Sequence, residues 1–173
     1  MDKTEQVRVP SKISEKVPGK LLLNPVHCLS LGFGSGLSPK MPGTMGTVVG
    51  VGLYLLIPTQ YLMDWKVFLL FIIFTFLIGI FLCGYTAKAL NVHDHPGIVW
   101  DEIVGYFITM YMVPKQWEWI LLGFVLFRLF DIWKPWPISI ADKRLKGGFG
   151  IMFDDVIAAV FSLIIIQISL YLL

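Results

Sequence analysis

Apolar positions along the chain gather into long blocks rather than the strict alternation of barrel strands. Five extended segments stand out: about Thr44 to Leu62, Val67 to about Leu90, Ile98 to Val113, Trp117 to about Trp133, and Ile151 to Leu173. The first is Gly-rich, and the second is the most hydrophobic ("VFLLFIIFTFLIGIFLCGYTAKAL"). A helix needs roughly 20 apolar residues to cross a bilayer, within a range of about 17 to 25. The first, second and fifth segments meet that length; the third and fourth are short or carry charge and need shielding by the others. In lipid, backbone polar groups are satisfied only within helices or closed barrels. The pattern therefore predicts an all-α fold, a polytopic membrane helix bundle of about five transmembrane helices. A sixth stretch, "LLLNPVHCLSLGFGSG" (21–36), is broken by Asn24-Pro25 and predicts a short N-terminal interfacial or re-entrant helix.

Composition supports a lipid environment. Of the 173 residues, 56% are hydrophobic and 15% charged, against about 25% charged in a typical soluble domain. Mean hydropathy is +0.74. Residues 21–173 are expected to form a single membrane-embedded domain. Residues 1–20 read as a flexible basic tail; they contain no apolar core of the kind a cleaved signal peptide needs. A net charge of +2 and the absence of a basic helix argue against a nucleic-acid partner, and nothing points to an obligate protein partner. Cys28 and Cys83 lie in separate apolar stretches without metal or disulfide spacing and read as small core residues.

The tail carries Lys3, Arg8, Lys12, Lys16 and Lys20, and the loop after the fourth segment carries Lys134, Lys143, Arg144 and Lys146. The turns after the first and third segments hold only Lys66 and Lys115. The excess of Lys and Arg places the tail in the cytoplasm. The loops "GFGSGLSPKMPGT", "NVHDHPG" and "KPWPISIADKRLKGGFG" then fall on that same face, with Asp64 and Glu118 as solvated turn residues on the other. Trp117, Trp119, Trp133 and Trp136 sit near span ends, as interfacial tryptophans do.

Against this background, five carboxylates are out of place: Asp101 and Glu102, Asp131, and Asp154 with Asp155. Each lies within about two turns of the cytoplasmic end of its segment. Ionisable groups in membrane segments are costly and are retained where they face a bundle interior with partners. Converging carboxylates repel one another; a divalent cation removes that conflict, and oxygen-only ligands suit Mg²⁺. The competing reading is a set of structural salt bridges to Arg128 and Lys134, but two cations against five acids leave charge over. Arg128 and Asp131 are spaced i, i+3 and share a helix face. Adjacent residues point about 100° apart on a helix, so at most one of Asp154 and Asp155 is expected to be a direct ligand, the other supporting it from behind or serving a helix contact; the same applies to Asp101 and Glu102. Ala158 and Ala159 allow another helix to approach closely.

Two glycine-rich loops suit a phosphate. "GFGSG" (32–36) with "SPKMPGTMGT" (38–47) offers backbone amides with Gly34, Ser35, Gly36, Lys40 and Thr44. "GGFG" (147–150) brings Gly148 to a helix N-terminus, where anions bind readily. No nucleotide P-loop pattern is present. "VHDHP" (92–96) places His93, Asp94 and His95 before a proline; such a run can bind a metal, hold a phosphate or carry protons. His27, alone in an apolar stretch, reads as structural or interfacial.

Together, "GFGSGLSPKMPGTMGT", "VHDHPGIVWDEIVG", "FRLFDIWKPWPI" and "GGFGIMFDDVIAAV" resemble the motif set of the phosphatidylglycerophosphatase A family, in the family's order, from about Leu31 to Ala159. One departure is small: "VIAAV" follows Asp155 where the family pattern leads one to expect a glycine after the first alanine. The resemblance implies a Mg²⁺-dependent lipid phosphatase of the bacterial inner membrane, its active site facing the cytoplasm. Its substrate would be phosphatidylglycerophosphate, its products phosphatidylglycerol and phosphate. It carries the family's acidic motifs onto Asp94, Asp101, Glu102, Asp131, Asp154 and Asp155, and its glycine loop onto Gly32 to Gly46.

The expected chemistry is metal-assisted hydrolysis. Asp101, Glu102, Asp131 and Asp154 or Asp155 hold one or two Mg²⁺ ions. Arg128, Lys134 and the loop amides stabilise the phosphoryl charge. Asp94, His93 or His95 act as base or protonate the leaving group. A phosphoenzyme route stays open. The rival class is a divalent-cation carrier, which also uses intramembrane carboxylates. A carrier places them near the midplane, often in inverted halves, whereas here they cluster at one face and no internal repeat is present. A lipid-binding scaffold, the remaining class, has no use for so many buried acids.

Overall fold

The computed structural model describes residues 17–92 and 94–172, and all regular structure among them is helical. Two 3-10 turns, Gly19–Leu23 and Gly32–Leu37, flank α1 (Pro25–Ser30). Then come α2 (Pro42–Leu56), α3 (Thr59–Leu62), α4 (Trp65–Leu90), α5 (Trp100–Thr109), α6 (Trp117–Trp133), α7 (Ile138–Arg144) and α8 (Gly147–Leu172). Most of the basic tail and His93 lie outside the described residues.

Local chemistry sets several boundaries. Asn24 opens α1 by accepting the Val26 amide at 2.9 Å, with Pro25 in the first helical position; this is a favourable N-cap arrangement. Asp64 opens α4 by accepting the amides of Lys66 and Val67 at 3.0 and 3.1 Å. Asn91 closes α4 and Lys134 closes α6, both in the left-handed region at φ 53° and 44°, a common way to end a helix.

Two of the five expected spans have the length to cross a membrane. α4 and α8 have 26 residues each, about 39 Å at 1.5 Å per residue. The other three are shorter, so the structure supports two full spans and does not establish five; α6 stands at the lower limit of the range. The first segment is divided at Pro58, which lacks an amide proton, into α2 of 15 residues and α3 of 4. The third keeps only 10 residues as α5, about 15 Å, bounded by Pro96-Gly97 before it and Pro114 after it. The fourth is α6 with 17. The stretch 21–36 is a short broken helix, and α7, inside the basic loop, is an element the hydropathy pattern did not reveal.

α5 stands at the centre, packed on α2, α4, α6 and α8. Ile103, Val104, Tyr106 and Phe107 are buried, and Tyr54, Phe68, Met110 and Val113 join them beneath α5. Two glycines permit the crossings. A Cβ on Gly148 would run into the backbone of Ile80 and Gly84, so α8 meets α4 backbone to backbone there. A Cβ on Gly105 would enter the ring of Phe127 on α6. Small residues at such contacts are typical of helices packed in lipid. Outward faces are apolar: Leu70, Phe74, Leu77 and Phe81 form an exposed stripe along α4, a larger apolar face than a soluble monomer ordinarily shows. Trp117, Trp133 and Trp136 are exposed, while Trp119 packs against the core. Buried His27 bonds Thr86 at 2.9 Å and stacks on Tyr85, fastening α1 to α4.

Candidate active site

The site grows from the start of α5. The turn before it is held by His95, whose Nδ1 accepts the Gly97 amide at 3.0 Å, and by the Val99 amide donating to the Ser30 carbonyl at 2.9 Å. Trp100 then donates its indole N–H to the Thr75 carbonyl, midway along α4, at 3.1 Å. The first turn of α5 is thereby fixed inside the bundle, and Asp101 and Glu102 lie in it. Unpaired amides and the helix dipole favour anions at that position. From α8, Asp155 approaches the same spot about 12 Å from the helix start. Gly105, one turn after Asp101, leaves the space: a Cβ there would sit 3.6 Å from the Asp155 Cβ.

Asp101, Glu102 and Asp155 can each present a carboxylate oxygen within 4.8 Å of the others. All three residues are buried. Asp101 Oδ1, Glu102 Oε2 and Asp155 Oδ2 have no hydrogen-bond partner. Orphaned buried acceptors are expensive, and here three of like charge come from three side chains in one place. A hard divalent cation is the ligand such a donor set fits, since Mg²⁺ takes oxygen ligands from few carboxylates.

α6 supplies the balancing charge. Arg128 Nη1 lies 2.5 Å from Asp131 Oδ2, 3.9 Å from Glu102 Oε1 and 3.5 Å from Thr47 Oγ1. Asp131 also neighbours Glu102 and Asp155 electrostatically, so it joins the arginine to the acid cluster. α2 closes this side. A Cβ on Gly43 would strike the Glu102 carboxylate and stand 3.2 Å from both terminal nitrogens of Arg128. Thr47 is aimed by donating its hydroxyl to the Gly43 carbonyl at 3.0 Å.

A second polar group adjoins the first. Asp154, on the neighbouring face of α8, pairs with Lys134 Nζ at 2.7 Å, and Lys134 also reaches Asp142 at 2.6 Å. Burial opposes the lysine's charge, but Asp154 and Asp142 outweigh it and hold its pKa above the ordinary range. Asp94 is exposed and faces Asp154 and Asp142 across a cavity of about 130 Å³.

The structure thus brings Asp101, Glu102, Asp155, Asp131 and Arg128 together, with Asp154, Lys134 and Asp94 beside them. Salt bridging accounts for Asp131 and Asp154 and reaches Glu102 only at 3.9 Å; it leaves Asp101 and Asp155 over. The neighbours Asp154 and Asp155 divide between the two groups, whereas Asp101 and Glu102 share one. The glycine loop is placed differently. Thr44 lies by Arg128, with a buried hydroxyl lacking a partner. Ser35 is likewise unpartnered but lies beside Gly32 and Val99. Gly36 allows the loop to touch the Gly97 carbonyl, Gly34 has positive φ, and Lys40 is exposed. Gly148 serves the α4–α8 contact. The sequence reading passed over Gly43, Thr47 and Asp142. The one-turn spacing of Gly43 and Thr47 says nothing of Arg128, and Asp142 carried no sign beyond its place in a basic loop.

These features define a class: an all-helical bundle with apolar flanks and, at one end, a buried carboxylate–guanidinium site. The chain matches the family model of phosphatidylglycerophosphatase A over residues 28–170, and it belongs to that family. Among its relatives, phosphatidylglycerophosphatase A of Escherichia coli (strain K12) is 48% identical over 143 residues, covering 80% of each chain. Phosphatidylglycerophosphatase A of Haemophilus influenzae is 49% identical over 146 residues, covering 84% of this chain and 88% of that one. No solved structure matches the chain.

Proposed function

We propose that the chain hydrolyses the terminal phosphomonoester of phosphatidylglycerophosphate, releasing phosphatidylglycerol and inorganic phosphate, with Mg²⁺ as its cofactor. The family and the names of the two relatives above support the reaction. The single observation that carries the chemistry is the set of three orphaned carboxylate oxygens beside Arg128. Asp101, Glu102 and Asp155 would hold the cation, with Asp131 and Asp154 at its margin. Bound there, Mg²⁺ supplies charge neutralisation for the phosphomonoester and lowers the pKa of a bound water.

The chain's own groups do the rest. Asp131 orients the Arg128 guanidinium, whose planar fork suits phosphate oxygens. Lys134, held charged by Asp154 and Asp142, lends positive potential at the neighbouring edge. His93 lies outside the described residues; Asp94 and His95 lie on the segment leading into α5, at the solvent side of the cluster. They are placed to receive a proton from water or to give one to the leaving alkoxide. Thr44 and the loop ahead of α2 line the phosphate's approach.

In this reading the bundle is embedded in the bacterial inner membrane. α4 and α8 cross it, α2 and α6 extend most of the way, α5 is enclosed, and the carboxylate end faces the cytoplasm with the basic tail. The apolar outer stripes and the lysine distribution support this placement. A cation carrier is disfavoured because the acids are confined to one end and an aromatic core lies below them.

The test is phosphate release from phosphatidylglycerophosphate in detergent micelles, with Mg²⁺ and then with excess EDTA. Release with Mg²⁺ that stops with EDTA is expected. Release insensitive to EDTA removes the metal, and no release from folded protein removes the reaction.

A further inference from the structure

A groove of about 660 Å³ opens on the side of the bundle between the start of α2 and one face of α6. Its walls are Met41, Thr44, Val125, Leu129 and Ile132, with Arg128 among them. From Phe124 to Trp133 it follows α6 for about 14 Å. Leu121, Val125, Leu129 and Ile132 continue it as one exposed apolar stripe. In this apolar wall, two polar atoms are buried without partners: Arg128 Nε and Thr44 Oγ1. The same arginine contacts Asp131 and Glu102 inside the bundle. One side chain thus belongs to both the carboxylate site and the outer groove. A second hollow of about 590 Å³, between α4 and α8, carries Lys88 but none of the site's carboxylates.

We propose that this groove seats an acyl chain of a glycerophospholipid phosphomonoester. The substrate enters sideways from the bilayer between α2 and α6, and its phosphate is delivered to Arg128. The proposal rests on the phosphatase reading and adds the route and the tail-binding residues. Charge complementarity selects this occupant. A free phosphate has no use for the apolar walls, and a hydrocarbon chain alone leaves Arg128 Nε and the Thr44 hydroxyl unmatched. A lipid with an anionic head satisfies both, and 660 Å³ falls in the range of about 300–1,000 Å³ found for small-molecule sites. Polar groups lining a cleft beside lipid are where such a substrate can leave the bilayer without exposing its tail to water.

The test uses the full chain in detergent micelles and two substrates, phosphatidylglycerophosphate with oleoyl chains and with butyryl chains. Val125→Trp and Leu129→Trp fill the groove; Ile168→Trp, on the exposed face of α8, is the control. The ratio of kcat/KM for the long-chain over the short-chain lipid should fall at least tenfold in the groove variants and stay constant in the control. A constant ratio in both groove variants overturns the proposal. If a groove variant misfolds and loses both activities, wild-type protein carries the test with an oleoyl substrate bearing a diazirine on one chain. Crosslinks are expected within 121–133 or 41–44, suppressed by excess unlabelled phosphomonoester lipid but not by phosphatidylglycerol. Crosslinks elsewhere, or equal displacement by phosphatidylglycerol, overturn the proposal. Wild-type protein that releases phosphate from neither lipid would remove the phosphatase reading instead, while the crosslink still reports where the tail sits.

Discussion

Asp131 links two kinds of charge: it holds Arg128 at 2.5 Å and borders the Glu102–Asp155 cluster. Asp131→Asn keeps the shape and removes the charge that orients the guanidinium. It should lower kcat by about 10²-fold or more, the scale of losing one preorganised electrostatic contact, while the helical circular-dichroism spectrum stays unchanged. Wild-type turnover would take Asp131 out of the site. Arg128→Lys keeps a charge but loses the fork that reaches Asp131, Glu102 and Thr47 together; kcat/KM should fall by about tenfold or more. At this scale the acids were legible because a carboxylate inside an apolar run is conspicuous. The division between Asp154 and Asp155 followed from their 100° separation. Asp101 and Glu102 escaped the same rule because both lie in the first turn of a short helix, where two adjacent side chains can reach one centre from the helix end. Gly43 and Thr47 were illegible for another reason: their role depends on α2 crossing Arg128, which no local pattern states.

At the scale of elements, α5 is the one on which the site depends. Its 10 residues leave both ends within the bundle, and Gly105 lets α6 and α8 close around it. Gly105→Leu would force a side chain into Phe127 and toward Asp155. Overpacking of this kind costs about 1–3 kcal/mol. The variant should unfold at a lower temperature in micelles and lose activity with it; an unchanged melting temperature would mean that the crossing is looser than described. Block hydropathy revealed where helices lie, and α6 begins and ends where the sequence placed it. It did not reveal how short α2 and α5 are, because apolar residues in the turns around Pro58 and Pro114 continue the pattern after the helix has stopped. α7 was hidden because a seven-residue helix in a basic loop has too few apolar positions to register.

For the whole molecule, metal and fold should be coupled. The cluster draws on α5 and α8, two elements far apart in sequence, so a cation bound there stabilises only the folded bundle. Raising Mg²⁺ to about 100 times its Kd should add roughly 2.7 kcal/mol. This would appear as a higher melting temperature, absent with Na⁺ at equal ionic strength and absent in Asp155→Asn. An equal shift in that variant would place the ion elsewhere. The orientation is checked with single cysteines: in intact spheroplasts, a membrane-impermeant maleimide should label Glu118→Cys but not Lys40→Cys. Labelling of both would overturn the one-sided topology. A last consequence belongs to the aromatic layer under α5. Tyr54 and Tyr106 are fully buried, and their hydroxyls are held by the Val113 and Ile120 carbonyls at 3.4 and 3.1 Å. No acid from the cluster continues past them among the described residues. Embedded as proposed, the protein would be a cup rather than a tube, with this buried aromatic layer as a floor beneath the carboxylate site. A cell that stores energy as an ion gradient could therefore keep many copies of it in the same membrane without short-circuiting that store.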